Sequence, residues 1–500
     1  MNFTTPIFIF IFFPIAIAAY LTVDFLEHKR IFSSFFGRFR IKDICLIALS
    51  LLFYMWACFD DVIKLVLYIT VVWLAGRWIG RNCGLYMRVF QDGKDGSERD
   101  HRKLPIAVFI LSGSILIVLF CLIHYKYMPL LTEIWNYLFR GKLVRESILA
   151  PIGISFITFS AISYLVDIYR EDALSGNLLD CILYLSFFPK VISGPIVLWK
   201  DFKPMLERRM VTLESFINGM NRVMIGFVKK LILADQFGAC IADVIASETD
   251  IITGWGIAFL YMLQIYYDFS GYSDIALGIA RLLGFEFEEN FNFPYRSVSV
   301  SEFWRRWHIS LGRWFREYVY FPLGGSRAGK QKALRNVAVV FILTGVWHGA
   351  GWNYILWGGI NGVMVMLEKV IKDKKFYQMQ PAVLKWFVTM GITFFCWQFF
   401  RFPTLRETWE WMKLMFGVLE VETVYYSWKH YFDAQMITLM LAGAVGAVLF
   451  GCERGQGLYR KCVSSRVGFL VQEIILLLLF CTAIIFMINS TYSPFIYFQY

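Results

Sequence analysis

The chain has 500 residues, 58% of them hydrophobic and only 17% charged, with a mean hydropathy of +0.55. A soluble chain carries about 45–50% apolar residues, so a water-soluble globular fold is excluded and a membrane protein is expected. The net charge of +11 lies in short intervals between apolar runs, which reads as Lys and Arg held on the cytoplasmic face. No basic stripe lies outside those intervals, so a nucleic-acid partner is not expected.

A spanning helix needs roughly 20 apolar residues. Residues 1–23 contain no Asp, Glu, Lys or Arg. A cleaved leader would carry a basic start and a small-residue cleavage site, whereas here the basic run Lys29, Arg30, Arg38, Arg40 and Lys42 follows the apolar stretch. The reading is a retained anchor with its N-terminus outside. Uncharged runs recur at 44–59, 104–125, 147–166, 251–267, 336–367, 386–400, 434–452 and 474–500. With tilt and snorkelling at the shorter ones, about eleven or twelve crossings are expected. The charged, glycine-containing interval from Gln91 to Arg102 reads as a cytoplasmic loop. No Lys or Arg follows Arg466, so the last helix runs outward and both termini are expected to be extracytoplasmic.

There is no internal repeat and no Pro/Ser-rich linker, so a single domain, 1–500, is expected. The ten cysteines include no CxxC pair, and most lie in apolar runs as small core residues; no disulfide framework and no metal site are expected.

One interval breaks the membrane pattern. From Asn290 to Arg335 the chain carries Arg296, Arg305, Arg306, Arg313, Arg316, Arg327, Lys330, Lys332 and Arg335 against Glu302 and Glu317, too much charge to span. Phe303, Trp307, Trp314, Phe315 and Tyr318 recur at helical spacing, which predicts an amphipathic helix lying in the interface or dipping into the protein. Ser301 is a candidate N-cap for it.

Of the six histidines, two stand apart. His348 lies within 336–367, in VWHGAGWN, and an ionisable residue inside an apolar span is costly unless it works or is satisfied by neighbouring helices. Gly345, Gly349 and Gly351 beside it permit close approach by another backbone or a substrate. His308, in WRRWHISL, sits on the basic interfacial piece, where it is either solvated or part of a site. Arginine beside it would favour the neutral imidazole that a base requires. Imidazole is suited to taking a proton from a hydroxyl near neutral pH. No GxSxG, phosphate loop or dinucleotide fingerprint is present.

The run from Tyr266 to Arg327, YYDFSGYSDIALGIARLLGFEFEENFNFPYRSVSVSEFWRRWHISLGRWFREYVYFPLGGSR, followed by TGVWHGAGWNYILWGG, resembles the membrane-bound O-acyltransferase family. The resemblance is closest to its bacterial branch that contains the alginate O-acetyltransferase, and is strongest over about residues 150–370, including FFPKVISGPI. It implies an all-α polytopic bundle in a bacterial cytoplasmic membrane, with re-entrant helices around a central funnel or tunnel. It also implies O-acyl transfer, most simply of acetyl, from a cytoplasmic thioester such as acetyl-CoA or an acyl carrier to an exported or surface polysaccharide, with no bound cofactor. His348 is then the catalytic residue and His308 the second active-site residue, positioning the thioester or stabilising charge. Arg305 and Arg306 contact either donor phosphates or anionic lipid headgroups.

The stretch 489–500, NSTYSPFIYFQY, fits a terminal FxYxxF-like motif at Phe495 and Tyr497, with Tyr500 in place of the final Phe. The resemblance makes Tyr497 an acyl relay to a separate extracytoplasmic acetyltransferase; by itself the stretch also reads as an aromatic belt. Transfer of D-alanyl to teichoic acid is the alternative within the family. A polymer transporter is the alternative outside it, for which Asp268 and Asp274 are the only close carboxylates.

Overall fold

The computed structural model describes residues 3–29, 40–83, 105–143, 150–245, 249–327, 329–419, 424, 426–448, 451 and 453–489. The interval Gln91 to Arg102 and the terminal stretch with Tyr497 lie outside the described residues. Every regular element among those described is a helix. Six helices are long and apolar enough to cross a membrane: Phe8–Glu27, Asp61–Arg81, Pro105–Phe139, Trp352–Ile371, Ala382–Arg401 and Arg466–Asn489. The described residues fall into two compact units, one of residues 1–220 with 276–288 and one of 221–275 with 289–500.

The first unit contains α1 (Phe13–His28), α2 (Ile41–Ala57), α3 (Asp61–Arg81), α4 (Pro105–Leu122), α5 (Ile154–Arg170) and α6 (Leu178–Ser186). Phe109, Leu116 and Phe120 on α4 stand exposed, as a lipid-facing helix requires. In contrast, α5 is buried continuously from Phe156 to Leu165. It is a core helix, buried on all its faces, with Thr158, Ser160, Ser163 and Asp167 among its buried residues. The uncharged run 147–166 therefore builds core in this unit. A buried charge pair ties this unit together: Arg209 donates to Asp43 and, at 3.2 Å, to the Tyr20 hydroxyl.

The second unit holds the residues of interest. Its helices include α7 (Ile251–Leu282, of which the last turns from Ala276 belong to the first unit), α8 (Val300–Arg306), α9 (Ile309–Phe315), α10 (Lys330–His348), α11 (Trp352–Ile371), α12 (Ala382–Arg401) and α13 (Leu405–Met415). From Ile257 to Ala280 α7 is almost wholly buried. Its carboxylates are matched by cations: Lys230 lies 2.6 Å from Asp268, and Arg222 and Lys229 lie 2.7 and 2.6 Å from Asp274. Those pairings leave the two carboxylates serving the fold, against the transporter alternative.

Two expectations are corrected here. The uncharged run 336–367 is not one span but a helical hairpin, broken between His348 and Trp352. Glycine makes the break compact: a Cβ on Gly345 would stand 2.4 Å from the Tyr354 carbonyl oxygen, and one on Gly358 would stand 2.4 Å from that of Phe341. Backbones at that separation admit only hydrogen. The interval 300–315 is likewise not one amphipathic helix but two, α8 and α9, separated at Trp307 and His308. The N-cap of α8 is Ser299, whose Oγ accepts from the Glu302 amide at 3.1 Å. Ser301 instead donates its amide to Glu368 Oε2 at 2.9 Å, tying α8 to α11.

Candidate active site

His308 is the N-cap of α9 and adopts a left-handed backbone conformation, φ 45°. Such a conformation is costly for a side chain bearing a Cβ and persists where surroundings impose it. Here a short backbone lacing imposes it: the Asn292 amide donates to the Arg306 carbonyl and the Ile309 amide to the Asn290 carbonyl, both at 2.9 Å. The turn drives the imidazole inward, leaving His308 2% exposed.

Asn290 then fixes the ring. Its Oδ1 lies 3.0 Å from His308 Nδ1, 2.8 Å from Ser310 Oγ and 3.3 Å from the Ser310 amide nitrogen, while its Nδ2 donates to Ser273 Oγ at 3.1 Å. A backbone amide only donates, so the atom facing it is the asparagine oxygen. It follows that Nδ1 of His308 carries the hydrogen and that Nε2 holds the lone pair. Burial pushes the His308 pKa down to about 3, so the ring is neutral at physiological pH. The cause is burial and not the neighbouring arginine that the local sequence pointed to.

His348 ends α10 and is 4% exposed. Aromatic rings surround it: Trp357 at 5.0 Å and 88°, Phe400 at 5.0 Å and 80°, and its neighbour Trp347 at 4.8 Å. The same Trp347 ring lies 6.1 Å from the His308 ring, and Phe269 meets His308 edge-on at 4.7 Å. Both predicted histidines are thus brought to one indole, in a setting made of Trp347, Trp357, Phe269 and Phe400. Each is buried, which overrides the reading of His308 as a solvated surface residue. Trp352, by contrast, is 50% exposed and takes no part.

The arginines divide. Arg306 is held by Glu302, with Nε and Nη2 at 2.9 and 2.8 Å from Oε1, and Nη1 donates to the Asn292 carbonyl at 3.2 Å. It serves the lacing that turns His308 inward. Arg305 is exposed and keeps its head group on the surface. Phe303, Trp307, Trp314 and Phe315 are buried as their spacing predicted, with Trp307 packed on Trp397 of α12 at 4.8 Å.

A neutral imidazole with a defined lone pair, in a water-poor aromatic setting and sharing the Trp347 indole with a second imidazole, is equipped for proton transfer from a hydroxyl or thiol. A profile described as MBOAT, membrane-bound O-acyltransferase family, matches residues 112–405, which include both histidines and Asn290.

The chain belongs to the membrane-bound O-acyltransferase family.

It is an O-acyltransferase and a multi-pass membrane protein. Among its relatives, the probable alginate O-acetylase of Pseudomonas aeruginosa is 30% identical over 558 residues, covering 100% of both chains. The probable alginate O-acetylase of Azotobacter vinelandii is 32% identical over 537 residues, again covering 100% of both. The peptidoglycan O-acetyltransferase of Helicobacter pylori is 28% identical over 449 residues, covering 83% of this chain and 80% of its own. This acyltransferase therefore matches the alginate O-acetylases along its whole length, not only in the motif region.

Asn290 is the residue that reading the sequence missed. It lies 18 positions before His308, a distance at which no periodicity links two side chains. The one local signal was its place at the head of the NFNFPYR turn.

Proposed function

We propose that this acyltransferase takes an acetyl group from a thioester on the cytoplasmic side of a bacterial inner membrane and passes it outward for O-acetylation of an exported polysaccharide. The observation that carries the reading is the pair of buried imidazoles on one indole, Trp347. The names of the relatives, alginate O-acetylase and peptidoglycan O-acetyltransferase, support acetyl as the group and a polysaccharide as its destination. Charge supports the direction. Lys330, Lys332 and Arg335 lie at the opening of α10, and Lys369, Lys372, Lys374 and Lys375 lie at or just beyond the close of α11. With basic ends inside, His348 lies at the outward end of the hairpin.

His348 takes the proton of the acceptor hydroxyl as its oxygen forms a bond to the thioester carbonyl carbon. The carbon–sulfur bond then breaks, and the proton goes to the leaving thiolate, so that an ester and a free thiol result. The lone pair on His308 Nε2 faces a role as acceptor, holding the thiol or hydroxyl partner in place. It has no hydrogen there to donate to a developing oxyanion, so the charge-stabilising role is the weaker reading of His308. Arg305 supplies a surface cation for the donor's phosphates. Tyr497 receives the acetyl group and presents it to a separate extracytoplasmic transferase.

The test is acyl transfer by purified protein in lipid nanodiscs. His348→Ala is expected to lower turnover about 10²- to 10⁴-fold, the usual range for a positioned base. Full turnover by a folded His348→Ala protein defeats the assignment. Offering acetyl and D-alanyl thioesters side by side identifies the group. Trapping of O-acetyl-tyrosine in wild type and its loss in Tyr497→Phe tests the relay.

A further inference from the structure

The DFSGYSD stretch of α7, residues 268–274, presents two opposite sides. At about 100° per residue, Asp268, Gly271 and Asp274 share one side of the helix, and Phe269 and Ser273, one turn apart, share the other. The second side bears on the active site. Phe269 meets the His308 ring edge-on at 4.7 Å, and Ser273 Oγ accepts from Asn290 Nδ2 at 3.1 Å, the amide whose oxygen orients His308.

The first side is clamped. A Cβ on Gly226 would stand 2.6 Å from the Gly271 carbonyl oxygen, and one on Gly271 would stand 2.9 Å from that of Gly226, so the two backbones touch as only glycine allows. Just past Gly226 the chain widens into the π-helical turns Val228–Ala234, a form that recurs at functional sites. Its consecutive residues Lys229 and Lys230 reach Asp274 and Asp268, on either side of the glycine contact, each at 2.6 Å. Arg222 joins Asp274 at 2.7 Å, and Asp235 joins Lys230 at 2.5 Å. Arg222 and Lys229 are partly open to solvent, whereas Lys230, Asp235 and Asp268 are buried.

A dry ion cluster is a poor source of stability, because desolvation offsets most of its attraction; what it supplies is register. Apolar helix faces tolerate sliding, but an ammonium seated between two carboxylates does not. A slip of one residue along α7 would move each side chain about 1.5 Å and turn it about 100°, taking Phe269 off His308 and Ser273 off Asn290 together. We propose that Lys230 is a positioning residue for acyl transfer: through Asp268 it locks α7 so that Phe269 and Ser273 hold the His308 ring in place. The proposal rests on the reading of His308 as a working residue of the site.

The experiment uses full-length protein in lipid nanodiscs, with acetyl-CoA as donor. Diethyl pyrocarbonate probes access to each imidazole, mapped by mass spectrometry below the melting temperature of each variant. In Lys230→Met, kcat for thiol release is expected to fall about 5- to 150-fold with KM unchanged, the range for one hydrogen bond forfeited in the transition state. Labelling of His308 is expected to quicken while that of His348 keeps the wild-type rate. Phe269→Leu, which leaves every ion pair in place, is expected to quicken His308 labelling in the same way, and it carries the test if Lys230→Met does not fold. Wild-type kcat or wild-type His308 labelling in folded Lys230→Met, equal quickening at both histidines, or unchanged His308 labelling in Phe269→Leu would each overturn the proposal. Labelling needs no turnover, so a wild-type protein that releases no thiol defeats the acyl-transfer reading, while the role of Lys230 in placing His308 is still decided by the label.

Discussion

Replacing Asn290 with alanine removes the oxygen on which His308 Nδ1, Ser310 Oγ and the Ser310 amide converge at 3.0, 2.8 and 3.3 Å. The serine hydroxyl rotates to another partner. The imidazole N–H and the backbone amide do not, and each buried donor left without an acceptor costs about 1–3 kcal/mol. The expected loss is therefore about 2–6 kcal/mol of stability, and the ring also loses the contact that sets its tautomer. If catalysis uses the orientation at Nε2, forfeiting one such bond in the transition state slows turnover by about 5- to 150-fold. Thiol release from an acetyl thioester, measured in nanodiscs across pH, reads the rate, and melting of the same samples reads the stability. Asn290→Asp is the companion variant. It restores an acceptor but places a carboxylate beside the ring, which raises the His308 pKa from about 3. Activity that requires the neutral His308 ring is then lost as pH falls through the raised value, so the acid limb set by His308 moves up from about pH 3 in Asn290→Asp. Wild-type turnover and an unchanged pH profile in a folded Asn290→Ala protein would refute the reasoning.

Two further outcomes are expected. Because His308 is neutral in the fold at a pKa of about 3 and near 6.5 when unfolded, the unfolded chain binds the extra proton between those values; stability holds above about pH 6.5 and falls below it, by about 2 kcal/mol at pH 5. Melting measured from pH 7.5 to 5 should show this slope in wild type and a shallower one in His308→Gln. Gly345→Val places a side chain where the Tyr354 carbonyl stands 2.4 Å from a Cβ, and the forced separation of α10 and α11 is expected to cost about 1–3 kcal/mol; a melting temperature unchanged from wild type would show that the hairpin gives way freely.

What the residues disclosed in advance follows from the range of each signal. Hydropathy is local, so the membrane character and the exposed apolar face of α4 were readable. It cannot tell lipid from protein as the apolar surroundings, so the runs 147–166 and 251–267 gave no sign that α5 and most of α7 are covered by protein on nearly every side. The same blindness joined α10 to α11, because glycine interrupts a helix without adding charge. Helical spacing found the buried face of Phe303, Trp307, Trp314 and Phe315 but carried straight through the left-handed turn at His308, since no residue type there announces it. The histidines were legible as chemistry that apolar surroundings make expensive. Asn290 was not, because an amide acceptor is defined by what lies around it, and its partners Ser273, His308 and Ser310 come from two separate stretches of chain.

The touching backbones of α10 and α11 also restrict how the enzyme can admit something as large as a polymer or a folded tail. Two rods in contact at Gly345 and Gly358 cannot slide past or part without breaking that seat, so they travel as a single post carrying His348 at its tip. Of the rings on His348, Trp347 and Trp357 belong to the post itself, whereas Phe400 comes from α12 and is not fixed by the glycine seat.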